Sequence, residues 1–246
     1  MLFKKYFENY YWKRNIFLII ILTIVALFCI FLACKESNIV LSANSTPITN
    51  HIIILDAGHG LPDEGAVGFT GTTEQAINLA IVLKLQKIIE QSGSKVVLTR
   101  SDENGIYEIT ENSIRNKKVS DIKNRTYIGN NNNGDVYISV HLNKYQESKY
   151  SGWQTFYQYD NDEGKKIAEV IQQEMNKNMD QKNDRKPMSL KGVYIMDNIK
   201  IPTIVIECGF LSNPEEEQKL KDSNYQNKIA WGIYIGLQRY FSAEGS

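Results

Sequence analysis

From Ile16 to Cys34 the side chains are apolar except for Thr23 and two cysteines. That run of 19 residues is close to the roughly 20 a helix needs to cross a bilayer. Residues 35–50, with Ser, Asn, Thr and Pro47, have no sustained periodicity and read as a linker. Then the pattern changes. His51-Ile52-Ile53-Ile54-Leu55 is continuously apolar, which marks a strand covered on both faces. Lys95–Thr99, Val136–Leu142, Trp153–Tyr159, Val193–Met196 and Thr203–Ile206 are the further predicted strands. Between the first two, Thr72–Ser92 places Ile77, Ala80, Ile81, Leu85, Ile88 and Ile89 at helical spacing. Thr72 and Gln75 fit a capping box at its start, and Gly93 stops it. Asp121–Asn132, Glu163–Met179 and Tyr225–Phe241 are the other predicted helices. Strands alternating with helices predict one α/β domain with a largely parallel sheet over residues 51–242. The polar loop 101–118 is either a lid or an insertion.

Composition narrows the class. The 246 residues hold 28 basic and 28 acidic side chains, so overall charge gives no footprint for nucleic acid. An apolar share of 42% excludes a disordered chain. Cys29 and Cys34 lie in the apolar run, which leaves Cys208 alone in the remainder and excludes a disulfide scaffold. The zero balance hides an asymmetry: Lys4, Lys5, Lys13 and Arg14 against Glu8 give residues 1–34 a net of +3. A basic flank before an apolar run stays in the cytoplasm, so the chain beyond it is expected outside. Residues 1–34 read as a membrane anchor or a signal segment. The length favours the anchor, since signal h-regions span only about 7–15 residues. Ala43-Asn44-Ser45 offers a weak cleavage site, and Leu32-Ala33-Cys34 a faint lipidation box in which Phe31 is out of place. All three readings export the domain.

In open α/β sheets, ligands bind beyond the carboxyl ends of the strands, so the residues closing each apolar run matter most. The first run ends in Asp56-Ala57-Gly58-His59-Gly60. In Tyr137–Asn143, period-2 alternation puts Ser139, His141 and Asn143 on one face. The last run ends in Glu207-Cys208-Gly209. Two of the three histidines in the chain therefore stand at strand ends with a glutamate. Glu74, in the first turn of its helix, is kept ionised by the helix dipole. Two imidazoles and one carboxylate leave a fourth position open, the pattern of a catalytic zinc, with Glu207 as general base and acid. Each residue also has a plainer reading: Glu74 complements a helix end, His59 occupies a turn, and His141 is a hydrogen-bonded core imidazole. Glu207 resists one, because Glu is seldom buried without a partner. His51 reads as structural, and Cys208, turned to the face opposite Glu207, as core packing. No Gly-x-Ser-x-Gly elbow, His-Glu-x-x-His or phosphate loop is present.

At these residues the sequence resembles the zinc-dependent N-acetylmuramoyl-L-alanine amidases of bacterial cell walls, the type-3 family. The resemblance runs from about Ile52 to Tyr240. It rests on four motifs in order: Asp56–Ala66 around His59, Glu74, Ser139–Asn143 around His141, and Ile206–Asn213 around Glu207. Leu98-Thr99-Arg100 and Arg125 match two more family positions, read as structural. The resemblance implies a mixed, roughly six-stranded sheet. It implies Zn2+ held by His59, Glu74 and His141, with Glu207 as the catalytic carboxylate. It further implies cleavage of the amide between the lactyl group of N-acetylmuramic acid and the L-alanine of the stem peptide in peptidoglycan. Leu61 departs from the second glycine many members carry, which alters the turn but removes no ligand. A compact domain behind one hydrophobic segment is similar to the spore cortex amidases, which act in cortex maturation and germination. Some relatives need a protein activator, which makes one a candidate partner here. Two other readings stay open, a metal-dependent peptidase or deacetylase on the same polymer, and a membrane-tethered module that binds peptidoglycan or a partner without catalysis. Tyr107, Tyr145, Tyr150 and Trp153 read equally as a glycan groove or as core.

Overall fold

In the computed structural model six strands form one sheet in the order β2-β1-β3-β6-β4-β5. The strands are β1 (Ile52–Ala57), β2 (Lys95–Leu98), β3 (Val136–Asn143), β4 (Gln154–Gln158), β5 (Met188–Leu190) and β6 (Thr203–Phe210). The helices of residues 46–244 are α1 (Glu74–Gln91), α2 (Ile114–Asn131), α3 (Asp162–Asn178), α4 (Tyr194–Asn198), α5 (Pro214–Lys221) and α6 (Ser223–Glu244). The first four strands of the sheet, β2, β1, β3 and β6, run parallel. β4 pairs antiparallel with β6, and β5 lies beside β4, so the sheet is mixed.

The structure describes residue 15, residues 20–26, residue 28 and residues 46–244. Most of the expected anchor or signal segment, 1–34, and most of the linker lie outside the described residues. Residues 20–26 are helical, and among the described residues no helix is long and apolar enough to cross a membrane. The domain packs from Thr46 onward: Ile48 is fully buried, and the Thr46 and Thr49 hydroxyls both donate to the Ser92 carbonyl.

Alternation along the strands separates apolar packing from chemistry. Ile53, Leu55 and Ala57 of β1, Ile138 and Val140 of β3, and Ile204, Ile206 and Cys208 of β6 join one core with side chains of α1, α3 and α6. The alternate positions, Asp56, Ser139, His141 and Glu207, belong to the other face. There a smaller cluster of Ile54, Tyr137 and Val205 packs against Ile195, Met196 and Ile199 of α4 and its end.

Four local expectations need correction. Val193–Met196 is not a strand: the segment enters α4, where the Gly192 N–H donates to Asp197 Oδ2 at 3.0 Å. A short apolar run carries no period that separates strand from helix, and here Ile195 and Ile199 meet the core four residues apart. The fifth strand is instead Met188–Leu190, too short to leave a pattern. α2 begins at Ile114, shortening the polar loop, with the Ser113 side chain accepting the Asn116 N–H as cap. The Thr72–Gln75 capping box does not form. The helix starts one residue later, and its first N–H groups, of Glu74 and Gln75, donate to the carbonyls of Ala66 and Glu64. Tertiary backbone contacts thus do the work of a side-chain cap. α5 is an addition to the expected helices, although Asn213-Pro214 before three glutamates is a helix-start signal; Asn213 accepts the N–H groups of Glu215 and Glu216.

Candidate active site

His59 leaves β1 on a residue with φ of 62°, a left-handed conformation that costs a non-glycine residue roughly 1–2 kcal/mol. The turn is closed by backbone hydrogen bonds between Gly60 and Asp63. It is also held by Arg125, whose Nη2 donates to the His59 carbonyl. The backbone at Leu61 joins the turn to the following loop, its N–H donating to the Glu103 carbonyl at 2.8 Å. His141 stands near the end of β3, and Glu207 is its registered neighbour on β6. Glu74 opens α1 with its side chain buried.

The structure brings His59, Glu74 and His141 together, with one ligand atom of each within 4.8 Å of the others. Glu74 Oε1 lies 3.2 Å from His59 Nε2 and 3.0 Å from His141 Nδ1. Two ligands about 2.0 Å from one tetrahedral centre are themselves about 3.3 Å apart, so the donor set fits a zinc ion. Both Glu74 oxygens are fixed by backbone: Leu142 N–H donates to Oε1 at 3.0 Å and Ala66 N–H to Oε2 at 2.8 Å. Two glycines make the cluster sterically attainable. A Cβ on Gly58 would lie 2.3–2.7 Å from the His141 ring, and one on Gly65 only 2.6 Å from Glu74 Oε2.

Glu207 stands beside this cluster with Oε2 buried and without a hydrogen-bond partner. Burial lifts its carboxyl to about 7; the charge of His141 opposes the rise and that of Glu74 adds to it. For His59, burial favours the neutral ring, but hydrogen bonds to Asp63 and Glu74 outweigh it and raise the imidazole to about 9. Burial likewise works against ionised Glu74, yet its bonds to His141 and His59 hold it far below the usual carboxylate range.

Around the cluster lie partners to which the sequence points only faintly. Asp63 Oδ2 accepts from His59 Nδ1 at 2.9 Å, and Lys118 meets Asp63 Oδ1 at 2.7 Å. This fixes the ring so that Nε2 points to Glu74, a usual arrangement for a metal-binding histidine. The i,i+4 spacing of His59 and Asp63 is the only signal of it in the sequence. Beneath the site, buried Arg125 bonds Asp56 Oδ1 at 2.5 Å and Asp121 Oδ2 at 2.5 Å. Arg100 donates to the carbonyls of Ala57 and Gly58 at 2.8 and 3.0 Å. Asp56 also accepts from Thr99 and Ser139.

Burial opposes ionisation of Asp56, but Arg125, Ser139 and Thr99 outweigh it and lower the carboxyl from 3.8 to about 2. A carboxylate whose pKa is depressed on folding stabilises above its unfolded value and loses that contribution as pH falls through the folded one. Asp56 is therefore expected to contribute about 2 kcal/mol above pH 4, lost between about pH 4 and pH 2. Urea unfolding of wild type and Asp56→Asn across that range checks this; a wild-type stability that stays flat there contradicts it.

The remaining sequence candidates resolve plainly. Cys208 is fully buried in the main core, where burial pushes its thiol well up. His51 stacks on Phe241 at 3.8 Å and pairs with Asp135 at 3.3 Å, a structural role. Trp153 is core rather than groove: it is fully buried, and its Nε1 donates to Asn176. Tyr107 lies under Lys117 at 4.7 Å. Tyr145 and Tyr150 form an aromatic group with Phe210 near the strand ends.

The family model for N-acetylmuramoyl-L-alanine amidases matches residues 53–239. The chain belongs to that family. Over 201 residues, 82% of this chain and 84% of the relative, it is 36% identical to the germination-specific N-acetylmuramoyl-L-alanine amidase of Bacillus subtilis (strain 168). The CwlD amidase from Clostridioides difficile, solved in complex with the GerS lipoprotein, has a TM-score of 0.77 and 44% identity, covering 79% of this chain and 100% of that one. The catalytic domain of CwlV from Bacillus (Paenibacillus) polymyxa has a TM-score of 0.66 and 30% identity, covering 78% and 98%. Family and relatives together make this amidase a peptidoglycan hydrolase.

Proposed function

We propose that this amidase is zinc-dependent, that His59, Glu74 and His141 hold the ion, and that Glu207 is its catalytic carboxylate. The observation that carries the reading is the convergence of three donor atoms within 4.8 Å beside a buried carboxyl oxygen that has no protein partner. Zinc bound there supplies Lewis-acid activation of water and of the scissile carbonyl. The chain supplies the rest. Asp63 holds the His59 proton on Nδ1 and leaves Nε2 free to ligate. The backbone N–H groups of Leu142 and Ala66 fix the Glu74 carboxylate. Glu207, buried and with Oε2 free of any protein partner, takes a proton from water and returns it to the leaving amine. The products are the lactyl carboxylate of N-acetylmuramic acid and a stem peptide with a free alanine amine.

We further place this activity outside the cytoplasm, in spore cortex maturation and germination, with residues 1–34 as anchor or signal. Support comes from the basic flank before the apolar run and from the germination-specific relative. An accessory lipoprotein is proposed as partner, because a relative was solved with one.

The test is digestion of purified peptidoglycan with mass analysis of products. Intact stem peptides with free alanine amines are expected, with activity lost on chelation and restored by zinc. Peptides cut internally, or released acetate, would instead favour a peptidase or deacetylase.

A further inference from the structure

A groove of about 490 Å³ lies on the β4 side of Glu207, lined by Tyr145, Tyr150, Gln154, Arg185 and Phe210 among others. Its position comes from register: Gln154 of β4 pairs with Glu207, and Phe210 ends the same strand. Arg185 reaches it from the polar loop between α3 and β5. Its guanidinium carbon lies 4.9 Å from the centre of the Phe210 ring. Nη1 is held by the Ser151 carbonyl and by Asn183 Oδ1. Among the described residues no carboxylate lies within ion-pair distance of Arg185, although Glu216 feels its charge, and Nε and Nη2 have no hydrogen-bond acceptor.

The neighbouring acids do not fill that role: Glu147, which also lines the groove, pairs with Lys149. Buried Glu216 uses its two oxygens on the N–H groups of Gly152 and Phe210, at 2.6 and 2.7 Å. The loop that carries Arg185 is itself pinned: Asn183 Nδ2 donates to the Trp153 carbonyl at 2.7 Å and Gln154 Nε2 to the Lys186 carbonyl at 2.9 Å. The result is a fixed cation over an aromatic ring, with the Nε/Nη2 edge vacant. That edge is the fork that grips a carboxylate through two parallel hydrogen bonds.

Direction comes from the chemistry. A group that returns a proton to the leaving amine has to face the nitrogen of the scissile bond, so the stem peptide extends past Glu207 and not past His59. We propose that Arg185 binds a carboxylate of the stem peptide on the amine side of the scissile amide, with Tyr145 and Tyr150 packing the peptide between. This rests on the reading of Glu207 given above. It makes Arg185 a specificity residue that separates stems with a free carboxylate from amidated ones.

The full chain carrying Glu207→Gln, in which turnover is slowed by about 10²–10⁴-fold, is titrated calorimetrically with two matched muramoyl peptides. They differ only in that the second stem residue bears a carboxylate or a carboxamide. The carboxylate form is expected to bind about tenfold more tightly. Adding Arg185→Gln should abolish that preference with little effect on the amidated ligand, and Arg185→Lys should retain part of it. Equal affinity for the two ligands before Arg185 is changed would overturn the proposal. So would an equal loss for both ligands in Arg185→Gln, the outcome for a glycan contact or a purely structural arginine. The catalytic reading is judged separately: a chain with Glu207 intact that cleaves neither ligand would remove it, whatever the binding preference.

Discussion

Glu207→Gln is expected to lower kcat by about 10²–10⁴-fold while the protein keeps its zinc. The substitution preserves shape and burial and removes the carboxylate's charge together with its capacity to take and give a proton. Glu207 is paired in register with His141, yet it makes no hydrogen bond to the cluster, and its Oε2 faces no protein donor. Its only coupling to the ligands is through charge, so the three donor side chains keep their hydrogen bonds when it is replaced. Steady-state hydrolysis of a soluble muropeptide, with metal analysis of the same samples, separates the two effects. A kcat within about threefold of wild type would remove Glu207 from proton transfer, and a parallel loss of metal would make it a ligand.

Arg125→Met is expected to cost about 3–5 kcal/mol of stability, because it leaves the Asp56 carboxylate buried without its cation. The same guanidinium bonds Asp121 and the carbonyls of Ala57 and His59, so the left-handed His59 turn loosens as well. Urea unfolding of the zinc-free protein measures the first effect, and competitive zinc titration of the folded variant measures the second as weakened binding. Arg125→Met combined with Asp56→Asn should destabilise by less than the two single changes added together, since they remove one shared interaction. A loss below about 1 kcal/mol, or strict additivity, would show that the pair stabilises little.

Legibility in the sequence depends on whether a pattern is local. His59, His141 and Glu207 are legible because each stands at or near the end of an apolar run, and parallel strands bring their carboxyl ends to one rim. Glu74 is legible as the acid of a helix first turn, although its actual fixation by Leu142 and Ala66 is not. Position-specific signals fail where the deciding contact is distant. The expected capping box gives way to carbonyls of the 64–66 loop, and the apolar Val193–Met196 segment is drawn into a helix by a cluster under the sheet. Buried acids are the least visible. Glu217 is fully buried, accepting the N–H groups of Phe69 and Thr70, 148 and 147 residues away in sequence. Nothing in the three consecutive glutamates marks which one turns inward to them. Arg185 sits in a polar loop whose only pattern is charge. It becomes noticeable once its unfilled edge and the aromatic ring beneath it are placed together.

Diffraction from crystals of the zinc-loaded protein, collected on either side of the zinc absorption edge, tests the central claim most directly. The account predicts one anomalous peak per chain, about 2.0–2.2 Å from a nitrogen of His59, a nitrogen of His141 and a carboxylate oxygen of Glu74. Glu207 should stand close by without touching it. A peak held by other residues, or no peak between these three in active protein, would contradict it.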